Sequence, residues 1–268
     1  MIKDKKTKTS ILKKTTIFWF VVTLLGQWAF ALYVILYYGG FIFLNGLNGI
    51  AEGHAPKGYV LGDVKGNIIL SIHLITAVVI IAGGPLQLIP YIRIKFPKFH
   101  RWLGRFYMIF VLFGAIGGVY LTWSRPRPSF GSIYQDIAIT IEALLIVVFV
   151  FLAYKYARKF KIKEHRRWAL RLFITASGVW FIRIGYKAWY FIESLLGFKI
   201  NNFFDYWSFG SFLIPLLVLE LYLIVKDQKN KTNHLKMSAL LFIVTVIMSI
   251  GIIIAIKEMW IPRIDNVI

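Results

Sequence analysis

Residues 67–89 read NIILSIHLITAVVIIAGGPLQLI, 23 consecutive positions without an aspartate, glutamate, lysine or arginine. A helix rising ~1.5 Å per residue needs roughly 20 such residues to cross a ~30 Å hydrocarbon core. The stretch therefore reads as a transmembrane helix, and the rest of the chain repeats the pattern. Seven blocks of this kind occur, at about Ile17–Tyr38, Asn67–Ile89, Trp102–Trp123, Ser132–Tyr154, Trp168–Ile192, Trp207–Val225 and Met237–Ile256. Their periodicity is helical, and no alternating ten-residue pattern points to an outer-membrane barrel. Of the 268 residues 58% are hydrophobic, above the ~45–50% of soluble domains, so the excess needs a second apolar environment. The expected fold is an all-α integral membrane bundle of about seven transmembrane helices, a single polytopic domain over residues 1–268.

Charge supplies an independent argument for orientation. With the N-terminus inside, the inner segments carry 23 lysines and arginines and the outer segments seven. That is the positive-inside bias of a chain with its N-terminus in the cytoplasm and its C-terminus outside. Adding or removing one span would invert the later loops and destroy the bias. The same distribution explains the net charge of +20 as basic loops facing anionic lipid, so no nucleic-acid partner is expected. The basic start from Lys3 to Lys14 resembles a signal peptide, but the apolar character runs on through Leu32 to Leu44, past an h-region of ~7–15 residues. An uncleaved first span is the expectation. The chain has no cysteine, which excludes disulfides, thiolate metal sites and a cysteine nucleophile.

Ionisable groups at membrane depth are costly and each calls for a reason. His73, Glu142, Arg183 and Lys187 fall in the outer halves of spans two, four and five. They could form a structural network with Glu142 paired to Arg183, or they could line a functional cavity. On the inner side, span three opens with His100-Arg101-x-x-x-Arg105 and span five with His165-Arg166-Arg167-x-x-x-Arg171. The i,i+4 spacing puts Arg101 with Arg105, and Arg167 with Arg171, on one helix face. At helix N-termini such arginines form a clamp for a phosphate, a carboxylate or a haem propionate. Glu220, near the inner end of span six, is placed to satisfy one of them. The competing reading makes these charges plain topology signals. Histidine is the natural axial ligand of a membrane haem, and His100 and His165 share a depth, which makes them the candidate ligands of a haem b iron. His73 with the loop residue His54 is an alternative outer pair of imidazoles for a bis-histidine site. Pro85 and Pro90 predict a kink or unwinding at the inner end of span two.

His73, Gly84-Pro85-Leu86-Gln87, Arg93 and His100-Arg101-Trp102-Leu103-Gly104-Arg105-x-Tyr107 resemble the bacterial predicted membrane proteins called domain of unknown function 2306. His165-Arg166-Arg167-Trp168-x-x-Arg171, Arg183, Trp207, Pro215 and Glu220 fit the second half of that pattern. The usual methionine after the second-motif tryptophan is Ala169 here, and the usual asparagine after the span-six proline is Leu216. The resemblance covers about residues 67–225. It implies a multi-helical membrane protein with spans two to six as the functional unit, and it implies no activity. The distribution of polar residues points the same way, to a polar-lined core of spans two to six with spans one and seven peripheral, in a bacterial cytoplasmic membrane. Two functions stay open. One is an intramembrane redox protein holding haem, or acting on a quinone-like substrate, through His73, His100 and His165. The other is a non-redox protein that binds or transports a lipid or another anionic ligand through the arginine–histidine clamp. Membrane lipid is the expected partner in both.

Overall fold

A computed structural model describes residues 3–46, 60, 62–125 and 131–267, and the side chains of all of these except 3–10 and 45. Among the described residues the chain is helical throughout and contains no strand. Its helices are α1 (Lys3–Asn45), α2 (Val64–Leu88), α3 (Pro90–Lys95), α4 (Pro97–Ser124), α5 (Ile133–Arg158), α6 (Ile162–Ala176), α7 (Gly178–Leu196), α8 (Phe203–Lys226) and α9 (Lys231–Ala255). A π-helical turn, Ile256–Trp260, leads into α10 (Ile261–Asp265).

Local chemistry sets several of these ends. The Asp63 carboxylate accepts from the Gly66 N–H at 2.8 Å and caps α2. The Asn230 side chain does the same for Thr232 and Asn233 at the start of α9. Such caps serve amides that have no partner within the helix. α2 runs on through Pro85, stops at Leu88, and is followed by Ile89 in an extended conformation. Pro90 and Pro97 then open α3 and α4. The expected unwinding thus falls at the residue before Pro90, where the proline ring disfavours a helical neighbour. α7 ends on Gly197 in the left-handed region, φ 72°.

Among the described residues six helices are long and apolar enough to cross a membrane: Ile11–Leu44, Val64–Leu88, Pro97–Ser124, Ile133–Arg158, Phe203–Lys226 and Lys231–Asp265. They expose rows of large apolar side chains, such as Ile75, Phe113, Leu144, Leu217 and Ile243. A protein in water would bury these, whereas lipid tails accept them. The fifth expected block, Trp168–Ile192, is not one helix. It is split between α6 and α7 at Ser177, whose N–H reaches the carbonyls of Phe173 and Ile174.

Two polar ties orient the bundle. Ser132, just before α5, donates to Asp205 in the first turn of α8 at 2.5 Å. Asp227, just after α8, receives Arg167 at 2.7 Å and Lys163 at 3.3 Å from the start of α6. Since α6 follows α5 through a three-residue turn at Lys159–Lys161, the ends of α5 and α8 lie together and so do their starts. The two helices run in parallel, with α6 and α7 as the return path between them.

Among the described residues the core has two large parts and a small third one, Leu12 of α1 with Met237 and Leu241 of α9. Phe30, Tyr33 and Tyr37 of α1 pack with Trp180 and Ile184 of α7, Ile252 of α9 and Trp260. Tyr107 and Val111 of α4 pack with Ile146 and Phe149 of α5 and Leu172 of α6. At Gly251 the backbones of α9 and α7 meet, because a side chain there would strike the Ile184 carbonyl. Small residues are what permit this approach in helices without water between them. α1 and α9 are therefore not peripheral, as the sequence suggested, but close the bundle around α7.

Candidate functional site

The ends of α3, α5 and α8 and the starts of α4 and α6 gather around one cavity of about 1720 Å³. Its walls are largely apolar, with Tyr107, Leu172, Phe173, Trp207 and Pro215 among them. Its charged lining consists of Arg93, Arg101, Arg105, Arg158, Arg166 and Lys226, and no aspartate or glutamate is among the described lining residues. His100 and His165 also line it, and Arg93, Arg101 and His165 are the charged or titratable neighbours of His100. Two polar atoms at this end, His100 Nδ1 and Gln87 Nε2, are buried without a hydrogen-bond partner among the described residues. His165 Nδ1 lies 2.9 Å from the Ala153 carbonyl. A carbonyl only accepts, so Nδ1 is the donor in this contact, and in the neutral ring the lone pair lies on Nε2.

The two arginine motifs start alike and end differently. Arg105 stacks on Trp102 with its guanidinium 4.9 Å from the ring, and Arg171 stacks on Trp168 at 4.4 Å. Arg171 also makes a two-pronged pair with Glu220, at 2.6 and 2.7 Å, and does not line the cavity. Arg105 is exposed and has no acidic partner among the described residues. Arg167 is likewise absent from the lining and is held by Asp227. Hydrogen bonding from Lys163, together with the positive charge of Lys163 and Arg167, holds the Asp227 carboxyl below the usual aspartate range. The cations at this end of the bundle thus divide into neutralised ones, Arg167 and Arg171, and others that face the cavity.

The outer-half layer does not assemble as expected. Arg183 donates to its own helix at the Val179 carbonyl, 2.7 Å away, and lies over the Phe30 ring at 5.0 Å. Glu142 rests instead against Gly178, where no side chain would fit. Positions 178 and 183 are about 140° apart around a helix of ~3.6 residues per turn, so the two groups meet opposite neighbours and form no pair. Lys187 reaches Glu258, at 3.1 Å. His73 packs on the glycine face of α4, beside Gly114, Gly117 and Gly118. His54 lies outside the described residues.

Several polar contacts escaped the sequence reading. Arg125, nearly buried, binds Asn67 at 3.1 Å and Asp63 at 3.5 Å. Trp207 donates to the Phe181 and Ile182 carbonyls through the gap left by Gly185. Gln27, fully buried in α1, donates to Ser177 at 2.8 Å. A glutamine in the middle of an apolar span was the one available signal, since such side chains bridge helices. Among the described residues no group of three or more histidine, aspartate or glutamate side chains gathers as a metal site.

Long apolar helices with apolar outer surfaces, around a largely apolar cavity with a cationic end, define a multi-pass membrane protein. The model of a family described as predicted membrane protein (DUF2306) matches residues 70–224, more than half of the chain, and the chain belongs to that family. No curated protein and no solved structure matches it.

Proposed function

We propose that this protein binds an anionic amphiphile of lipid size, head at the cationic end of the cavity and tail along its apolar walls. The observation that carries this reading is a cavity whose charged lining is entirely cationic. At about 1720 Å³ it exceeds the ~300–1,000 Å³ of ordinary small-molecule pockets. Arg93, Arg101, Arg105 and Arg166 are the head-group contacts, with His100 Nδ1 and Gln87 Nε2 as further polar atoms in need of partners. In the test, thermal unfolding of the purified protein is followed with phosphatidylglycerol and with phosphatidylcholine. Phosphatidylglycerol stabilises the wild type, and the gain is lost in Arg105→Gln/Arg166→Gln but kept in Lys159→Gln/Lys161→Gln, whose charges lie outside the cavity. Equal stabilisation by both lipids, or equal loss in both variants, defeats the reading.

The same proposal gives α6 and α7 together the role of a seventh crossing, in a bacterial cytoplasmic membrane with the N-terminus inside and the C-terminus outside. The parallel course of α5 and α8, with the broken helix between them, supports this. A C-terminal reporter should then lie outside the cell. A reporter in the cytoplasm would leave six crossings.

A second reading, haem b held by His100 and His165, draws on one observation. His165 gives its Nδ1 proton to a backbone carbonyl, the arrangement that fixes a ligating imidazole and leaves Nε2 for iron. Bound haem would supply one-electron chemistry, and Arg101 and Arg105 would hold its propionates. Protein from haem-replete cells would show a Soret band, lost in His165→Ala. Colourless folded protein that takes up no added haem removes this reading.

A further inference from the structure

The break at Ser177 lies ~18 Å along the helix from His165, at membrane depth and away from the arginines of the cavity. The Ser177 hydroxyl donates to the Phe173 carbonyl at 2.7 Å and accepts from Gln27 Nε2 at 2.8 Å. The other end of that amide, Gln27 Oε1, has no partner among the described residues, and Gln27 is 0% exposed. The Thr175 hydroxyl, two residues away, is in the same state. At the next residue, Gly178, the missing side chain makes room for the Glu142 carboxyl of α5. Among the described residues Glu142 makes neither a hydrogen bond nor an ion pair, and no charged or titratable group acts on it.

The helices packed on α5 and the one beside the break offer it no cation. Arg183 of α7 is turned to Val179 and Phe30, and Lys187 to Glu258. Glu220 of α8 is held by Arg171 of α6. Tyr107 of α4 packs in the apolar cluster, while Arg105 of α4 and His165 of α6 line the cationic cavity. An ionised carboxylate without a partner is costly at this depth, and a proton removes the charge without any further ligand.

We propose that the α6–α7 break is a proton-binding site: Glu142, seated against Gly178, carries a proton there, with the unpartnered oxygen of Gln27, which is bonded to the neighbouring Ser177, and that of Thr175 three residues back. The site is independent of the amphiphile reading. Dicyclohexylcarbodiimide, which modifies protonated carboxyl groups in apolar surroundings, tests it on the full chain in liposomes. Peptide mapping should find the adduct on Glu142 at neutral pH, declining as the pH is raised. Infrared difference spectra across the same pH range should show a protonated-carboxyl band that is missing in Glu142→Gln. That variant mimics the neutral acid and should fold with unreduced thermal stability. An unmodified Glu142 with no such band overturns the proposal. Protection of Glu142 by sodium at fixed pH overturns it too, because the carboxylate would then hold a metal cation.

Discussion

α4 and α6 both carry Arg-Trp-x-x-Arg within their first three turns, at residues 101–105 and 167–171, and both fold the last arginine onto the tryptophan. On α6 a carboxylate meets each arginine, Asp227 for Arg167 and Glu220 for Arg171. On α4 Arg101 and Arg105 face the cavity, and no ion pair links them to an acid among the described residues. One sequence pattern therefore does two jobs. Where a neighbouring helix supplies an acid the pattern fastens helices together, and where none does it leaves positive charge for something that is not part of the chain.

The sharpest way to break that comparison is at Arg105. If it contacts an anionic head group, losing a charge-assisted hydrogen bond costs ~1.5–3 kcal/mol of binding. Arg105→Gln should therefore weaken phosphatidylglycerol binding by roughly tenfold or more, with little change in the stability of the delipidated protein. Titration calorimetry on wild type and variant checks both halves, and an unchanged affinity would return Arg105 to a topology signal. Lysine at this position should restore only part of the affinity if the contact is two-pronged.

The converse holds at Glu220. Glu220→Gln leaves the Arg171 guanidinium without its counter-charge, and the loss should appear in thermal stability and not in lipid affinity. The carboxylate is 39% exposed, so solvent screening reduces the penalty to about 1–2 kcal/mol. Replacing both partners by apolar residues should recover much of it. Additive effects in that double-mutant cycle would show that the pair does not couple α6 to α8.

Smaller effects come from the two tryptophans. An exposed cation–π contact contributes ~0.5–1 kcal/mol. Trp168 also packs on Phe149, whereas Trp102 is 57% exposed. Trp168→Leu should lower the unfolding temperature more than Trp102→Leu. The reverse order would mean that the α4 stack is also structural.

The smallest effect is the pH dependence at Asp227. Its folded pKa is depressed, by hydrogen bonding from Lys163 first and by the charge of Lys163 and Arg167 after that. Its contribution is then fully present above the unfolded aspartate value of ~3.9 and fades as the pH falls through the lower folded value. Unfolding temperatures of wild type and Asp227→Asn should differ slightly at neutral pH and converge on acidification. A constant gap would place the effect of the substitution elsewhere.

Membrane residence, the positions of the six described helices that are apolar enough to cross a bilayer, and the clustering of basic residues at helix ends were legible because hydropathy and charge accumulate residue by residue along the chain. So was the pairing partner at the end of span six, since Glu220 was the acid at that depth. Other features depended on how helices are rotated against one another. Glu142 and Arg183 share a depth, yet Gly178 receives the one while Val179 and Phe30 receive the other. Ser177 is an ordinary residue in an apolar block, and its helix break becomes visible only with Gln27 bonded to it and Glu142 at the next position. Composition along the chain thus determined that this protein lives in a membrane and which end of its bundle is basic. The azimuth of each helix, a property of packing and not of any one segment, decided which of its charges are paired, which line the cavity and which carboxyl rests against a glycine with no partner among the described residues.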